Sequence, residues 1–218
     1  MHQYIDHTLL KPDSQEDEIK NLCKEAIEYD FASVCIHPHY VELVAECLKG
    51  VPTKVCTVIG FPLGQNTTAT KIFEAKNALD NGADEIDMVI NVSWLRDKSY
   101  DKVKNEISKI KSVIGEHILK VIVEISLLSD EELAKISEVV SQSGADFIKT
   151  STGFGAHGAT FKALQIMKAN ISDLLQIKAS GGIRDFETAK KYIDLGVTRL
   201  GTSSGIEIIE GKTSHKKY

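Results

Sequence analysis

Eight short apolar, β-rich runs recur along the chain, and an amphipathic stretch follows each. They are "YIDHT" from residue 4, "SVCI" from 33, "VCTVIGF" from 55, "EIDMVI" from 85, "LKVIVEI" from 119, "DFIKTS" from 146, "LQIKASGG" from 175 and "TRLGTSS" from 198. The intervening stretches place apolar residues at three- and four-residue intervals. This predicts helices over about 14–29, 39–49, 68–81, 129–142, 160–171, 185–195 and 203–209, and another within "YDKVKNEISKIKSVIG" around Ile107, Ile110, Val113 and Ile114. Strict alternation of strand and helix predicts parallel strands joined by helical crossovers.

An internal repeat fixes the phase of this pattern. "NGADEID" at 81–87, "SGADFIK" at 143–149 and "LGVTRLG" at 195–201 each put a glycine at a helix end and begin a strand two or three residues later. An open doubly wound sheet uses fewer strands and carries a G-x-G-x-x-G turn after its first strand, which is missing here. The expectation is an α/β chain folded as a single (β/α)8 barrel over residues 1–218, near the small end of that fold's size range, with a tail from about 210.

Composition narrows the function classes. A net charge of −5 and an isoelectric point near 5.8 argue against a general nucleic-acid binder, which needs concentrated Lys and Arg, so any phosphate site must be local. The N-terminus has no leader pattern and no apolar run approaches a membrane span, so no membrane partner is expected and a cytoplasmic location is. Cys23, Cys35, Cys47 and Cys56 lack zinc-ligand spacing and read as buried reduced thiols, although Cys35 could lie near an active-site strand end and be reactive.

In a barrel, alternate strand residues face the interior, so polar residues on the inward parity are candidates for chemistry. Ile86, Met88 and Ile90 make the helix-facing set of the fourth strand, leaving Glu85, Asp87 and Val89 inward. The same sorting puts Phe147, Lys149 and Ser151 on one face of the sixth strand, and Gln176, Lys178 and Ser180 together on the seventh. These strands are neighbours in a barrel, so the two lysines should meet near the C-terminal rim. A nearby cation and partial desolvation both disfavour the protonated form of an amine, and an unprotonated lysine can form a Schiff base with a carbonyl substrate. The alternative for either lysine alone is a strand-end side chain that reaches solvent or pairs with a carboxylate.

"SGGIRD" at 180–185 and "GTSSG" at 201–205 follow strands seven and eight, where barrels commonly hold a phosphate on backbone N–H groups and a helix N-terminus. Read singly, they are also ordinary turn and cap sequences. "TGFGAHGAT" adds glycines at the same rim, with Thr160 as N-cap of the next helix. His37 and His39, separated by a proline, make a poor metal site, and His7, His117 and His157 have no special spacing; no metal or other cofactor is expected.

Taken in order, "IDHTLLKP", "VCIHP", "VIGFPLG", "GADEIDMVIN", "LKVIVE", "FIKTSTGF", "KASGGIR" and "RLGTSSG" cover nearly the whole chain, and together they resemble the deoxyribose-phosphate aldolase family. The resemblance implies a metal-independent class I aldolase on a (β/α)8 barrel. Its reaction is reversible cleavage of 2-deoxy-D-ribose 5-phosphate into acetaldehyde and D-glyceraldehyde 3-phosphate. It implies Lys149 as the Schiff-base lysine, Lys178 as the lysine that perturbs it and shares in proton transfer, and Asp87 as the acidic proton relay, acting through a bound water. Gly153, Gly181, Gly182, Arg184, Gly201, Ser203 and Ser204 fall on the family's phosphate loops.

Asp6, at the end of strand one, is a candidate to support the reacting residues from behind, and Tyr218 matches a C-terminal tyrosine that in some members folds over the site. Ile125 departs from the family pattern, where a more polar residue is usual. The expected partner is a phosphorylated small-molecule sugar, and a homo-oligomer, dimer or tetramer, is expected. A sugar-phosphate epimerase or isomerase on the same barrel and a non-enzymatic phosphate-binding protein are the competing readings.

Overall fold

The computed structural model describes residues 1–214. Eight parallel strands close into a barrel in chain order: β1 Ile5–Leu9, β2 Ser33–Ile36, β3 Lys54–Ile59, β4 Glu85–Val89, β5 Ile118–Ile122, β6 Phe147–Lys149, β7 Gln176–Ser180 and β8 Arg199–Thr202, with β8 pairing back onto β1. The surrounding helices are α1 Glu16–Glu28, α2 Val41–Cys47, α3 Thr68–Asp80, α4 Val92–Arg96, α5 Tyr100–Ile114, α6 Asp130–Ser141, α7 Phe161–Ala169, α8 Phe186–Asp194 and α9 Gly205–Ile209. The (β/α)8 expectation holds.

Helix starts and stops follow local chemistry. Thr160 caps α7 by accepting the N–H of Ala163, and Ser129 and Glu132 form a reciprocal capping box on α6. Gly82 and Gly196, just past α3 and α8, have φ of 103° and 105°, a region that L side chains avoid and that glycine enters freely.

The structure differs from the expected elements in three places. The short helix α4, capped by the Asn91 side chain on Trp94 N–H, was not expected; five residues are too few to display a period. β6 stops at Lys149 rather than running to Ser151. β5 ends at Ile122, because Glu124 turns left-handed (φ 53°) into a one-turn 3-10 helix at Ile125–Leu127. That turn sends Ile125 into the outer apolar core, which accounts for an apolar residue at this position.

The apolar core is the shell between strands and helices. Val34, Ile36, Ile86, Met88, Leu119, Val121, Ile148, Ile177 and Leu200 point outward against Ile19, Ile107, Ile110, Ile136 and Leu164 of the helices. Each such burial contributes about 1.5–3 kcal/mol. The barrel lumen is different, because it carries a layer of charge. Among the described residues no helix is long and apolar enough to cross a membrane.

Candidate active site

Asp87 lies at the centre of the charged layer. Its Oδ2 accepts hydrogen bonds from Lys149 Nζ at 2.7 Å and Lys178 Nζ at 2.8 Å, and its Oδ1 accepts from Lys120 Nζ at 2.9 Å. Strand register explains the meeting, since Lys149 pairs with Lys178 across β6–β7 and Asp87 pairs with Lys120 across β4–β5. The two lysines expected to face each other therefore do meet, on a shared carboxylate oxygen. Asp87 touches Lys149 directly.

Below this contact the network continues. Lys178 Nζ lies 2.5 Å from Asp6 Oδ2, Lys120 Nζ 2.6 Å from Glu85 Oε2, and Arg199 bridges Asp6 Oδ1 at 2.6 Å and Glu85 Oε2 at 3.0 Å. Asp6 is the second residue of β1, not the end of the strand, and the Ser33 hydroxyl donates to its Oδ1 at 2.6 Å. This depth lets it hold Lys178 from beneath.

The electrostatics favour the charged forms of Asp6, Asp87, Lys120 and Lys178. Burial pushes the Asp87 carboxyl up, but Lys120, Lys149 and Lys178 together hold it well below the usual carboxylate range. Asp6 is likewise lowered, because Lys178, Arg199 and Lys120 overcome its burial. Burial disfavours charge on Lys178, yet Asp6 and Asp87 raise it above the usual lysine range, and Lys120 is raised well above by Asp87, Cys56, Glu85 and Asp6. Removing one partner from such a buried set typically costs about 3–5 kcal/mol.

Lys120 and Arg199 were not singled out in the sequence, although the signal was present. In "LKVIVEI" the apolar Leu119, Val121 and Val123 take the helix-facing parity, which forces Lys120 inward by the argument that located Asp87. Of the three lumen lysines, Lys149 alone reaches the mouth: 3% of its surface is exposed, against 0% for Lys120 and Lys178.

Above Lys149 opens a cavity of about 290 Å³. Gly153 after β6, Gly181, Gly182 and Arg184 after β7, and Gly201, Ser203 and Ser204 on and after β8 all line it together with Lys149. Among the described residues no acceptor meets the N–H groups of Gly153, Gly181, Gly182 or Ser203, while the Ser204 N–H is taken by Thr202 Oγ1 at 2.9 Å. The first turn of α8 is capped by Asp185, whose carboxylate accepts the Thr188 N–H at 2.8 Å, so the anion-accepting donors are loop amides. Gly201 has a second role: a Cβ there would stand 3.0 Å from Lys178 Cε and 2.9 Å from Ser180 Cβ.

Glu124 braces the mouth from the β5 side. Its Oε2 accepts from Thr152 N at 3.2 Å and Thr152 Oγ1 at 2.5 Å, and its Oε1 accepts from Ser126 Oγ at 3.0 Å. The left-handed backbone that ends β5 also aims this carboxylate beneath the Thr152–Gly155 turn.

Other residues fall elsewhere. His37 Nε2 bonds the Leu10 carbonyl at 2.9 Å and His7 pairs with Glu25 at 2.7 Å, whereas His157 lines the cavity mouth. The four cysteines are free thiols, with Cys47 partly exposed rather than buried. Cys35, the third residue of β2, lies fully buried beneath the site. Tyr218 lies outside the described residues.

Fold and site together define a closed (β/α)8 barrel with a lysine–carboxylate lumen beneath a glycine-walled mouth. The chain belongs to the DeoC/LacD family of aldolases, whose model matches residues 1–209. It is 53% identical over 216 residues to deoxyribose-phosphate aldolase of Staphylococcus carnosus, covering 99% of this chain and 98% of that one. A solved aldolase, QR15, superposes with a TM-score of 0.92 at 42% identity, covering 96% of this chain and 94% of that one. The deoxyribose phosphate aldolase of Aeropyrum pernix, described as having a unique tetrameric structure, gives 0.87 at 33% identity, covering 96% and 89%.

Proposed function

We propose that the chain is a class I aldolase that reversibly cleaves 2-deoxy-D-ribose 5-phosphate into acetaldehyde and D-glyceraldehyde 3-phosphate, with Lys149 as the Schiff-base residue. The observation that carries this reading is the placement of Lys149 Nζ at the floor of the cavity, 2.7 Å from Asp87 Oδ2, with the unsatisfied amides of the β6, β7 and β8 loops lining the same cavity.

Lys149 attacks the substrate aldehyde to give a carbinolamine, and loss of water gives an iminium. The substrate hydroxyl next to the scissile carbon–carbon bond loses its proton, the bond breaks, and its electron pair flows to the iminium nitrogen. The glyceraldehyde phosphate leaves. The remaining enamine takes a proton on carbon, and water releases acetaldehyde and the free amine.

Asp87, ionised and within reach of Lys149, accepts and returns the protons these steps move. Lys178, held charged by Asp6 and Asp87, supplies a fixed positive charge beside the reacting nitrogen and hydrogen-bonds the proton relay. Asp6 is a positioning residue, because it acts through Lys178. Gly153, Gly181, Gly182 and Ser203 offer amide donors to the phosphate, Arg184 offers charge, and Gly201 and Ser204 shape the wall.

The same reading includes a cytoplasmic location, in keeping with a metabolic phosphosugar substrate, and a homo-oligomer, for which the tetrameric relative is the support. It extends to Tyr218 as a proton-transfer residue carried by the C-terminal tail. The Ser214 N–H donates to the Arg184 carbonyl at 2.9 Å, beside the phosphate wall.

Incubation with deoxyribose 5-phosphate and assay for free acetaldehyde test the reaction. Release of acetaldehyde that persists in EDTA is the expected result. Conversion to an isomeric sugar phosphate without acetaldehyde would favour the epimerase or isomerase reading.

A further inference from the structure

Two thiols in the lumen are not used by the aldolase chemistry. Cys35 of β2 and Cys56 of β3 are register partners on adjacent parallel strands, both fully buried, and packed with Leu10 and Val58. Leu10 also lines the cavity, so the thiols lie one side chain beneath it. Cys56 Sγ donates to Asp87 Oδ1 at 3.3 Å and receives Lys120 Nζ at 3.3 Å. The two sulfurs and a carboxylate oxygen of Asp87 lie within 4.8 Å of one another. A tetrahedral ion with metal–sulfur bonds of about 2.3 Å and metal–oxygen bonds of about 2.0–2.2 Å sets its ligand atoms about 3.5–3.8 Å apart. Atoms at the outer limit of that spacing must close by about 1 Å to reach the tetrahedral distance.

We propose that Cys35, Cys56 and Asp87 form a binding site for a soft divalent cation, zinc or cadmium, and that filling it switches off the lysine chemistry. Two sulfur ligands select a soft ion over magnesium or calcium. The charge balance is neutral even beside the lumen lysines: one divalent ion enters, two thiol protons leave, and the formal charge of the lumen is unchanged. Lys120 gives up Asp87 Oδ1 and Cys56 Sγ but keeps Glu85 Oε2 at 2.6 Å. Asp87, once bound to the metal through Oδ1, shares its negative charge with the ion, and its Oδ2 on Lys149 becomes a weaker acceptor for the substrate's proton.

The inhibitory half of this proposal rests on the aldolase reading, whereas the binding half does not. Cys23 and Cys47 touch each other between α1 and α2, so the titration uses a Cys23→Ala/Cys47→Ala background to leave a single thiol pair. Cadmium is added without substrate while the ultraviolet thiolate-to-cadmium absorption band and proton release are recorded. Acetaldehyde release is then assayed on the same samples.

The expected result is one cadmium and two protons per chain, activity lost in proportion to the band, and recovery in EDTA. Adding Cys56→Ala abolishes the band and leaves activity resistant to cadmium; near-ultraviolet circular dichroism of that variant verifies its packing, and Cys35→Ala supplies a second variant. Absence of the band, its persistence in Cys56→Ala, or full activity in the cadmium-saturated protein would overturn the proposal. A protein that binds cadmium but never releases acetaldehyde would instead count against the aldolase reading alone.

Discussion

Lys149 and Lys178 are register partners on adjacent strands, and their Nζ atoms share one carboxylate oxygen, Asp87 Oδ2, at 2.7 and 2.8 Å. Lys149, the proposed Schiff-base residue, thus shares its carboxylate partner with a second buried lysine. Carboxylate and lysine can each be removed separately.

Lys178→Met removes the cation and leaves Asp6 and Asp87 short of a partner. Turnover is expected to fall by about 100-fold or more, the range lost when a general acid–base or charge-stabilising group is deleted. Unfolding free energy should fall by about 3–5 kcal/mol, because a buried pair is broken. Steady-state kinetics and urea unfolding measure the two losses independently, and wild-type turnover in this variant would remove Lys178 from the mechanism.

The charged layer sets a pH window for stability. Asp6 and Asp87 are lowered in the folded state, so their contribution is complete above the unfolded carboxylate value of about 3.9 and is lost as pH falls below it towards the folded values. Lys120 and Lys178 are raised, so theirs is complete below about 10.4 and is lost as pH rises further. The urea midpoint should therefore form a plateau between these limits with both arms falling. Asp6→Asn should lower the plateau and flatten the acid arm; an unchanged acid arm would mean that Asp6 does not carry the predicted charge.

Gly201→Ala places a methyl group 3.0 Å from Lys178 Cε and 2.9 Å from Ser180 Cβ. The lysine must shift, so turnover should drop by about tenfold or more with a smaller change in KM, as expected when a catalytic group is misplaced. Equal turnover in the alanine variant would show that Lys178 tolerates displacement.

Glu124 provides a fourth test, at the mouth. Its left-handed backbone costs about 1–2 kcal/mol in a non-glycine residue, and its carboxylate anchors Thr152. Glu124→Ala keeps the strain and loses the anchor, whereas Glu124→Gly loses both. The alanine variant should be the less stable of the two, and both should raise KM for the phosphosugar. A normal KM in both would mean that the Thr152–Gly155 turn holds its shape without Glu124.

The barrel was legible because each level of the sequence repeated the same unit. Apolar runs, amphipathic stretches and the Gly82, Gly144 and Gly196 stops keep one phase, and period-two sorting located Asp87, Lys149 and Lys178. Lys120 was legible by the same rule, but "LKVIVE" reads first as an apolar run, and its lysine is easily taken for a strand-end residue.

Other features were not written locally. Glu124 ends β5 through a left-handed turn that no residue pattern announces, since glycine is the usual marker of that conformation. The pairing of Asp6 with Lys178 and Arg199 joins residues from opposite ends of the chain, and only barrel closure brings them together. The sharing of Asp87 Oδ2 depends on side-chain reach, which parity does not supply.

Lys149 is proposed to carry the reacting carbonyl. Borohydride reduction in the presence of deoxyribose 5-phosphate or acetaldehyde, followed by peptide mass mapping, tests it most directly. A substrate-dependent adduct is expected on the peptide bearing Lys149, none in Lys149→Leu, and loss of turnover in that variant with the fold retained. An adduct on Lys178 in place of Lys149, or turnover with no adduct at all, would contradict it.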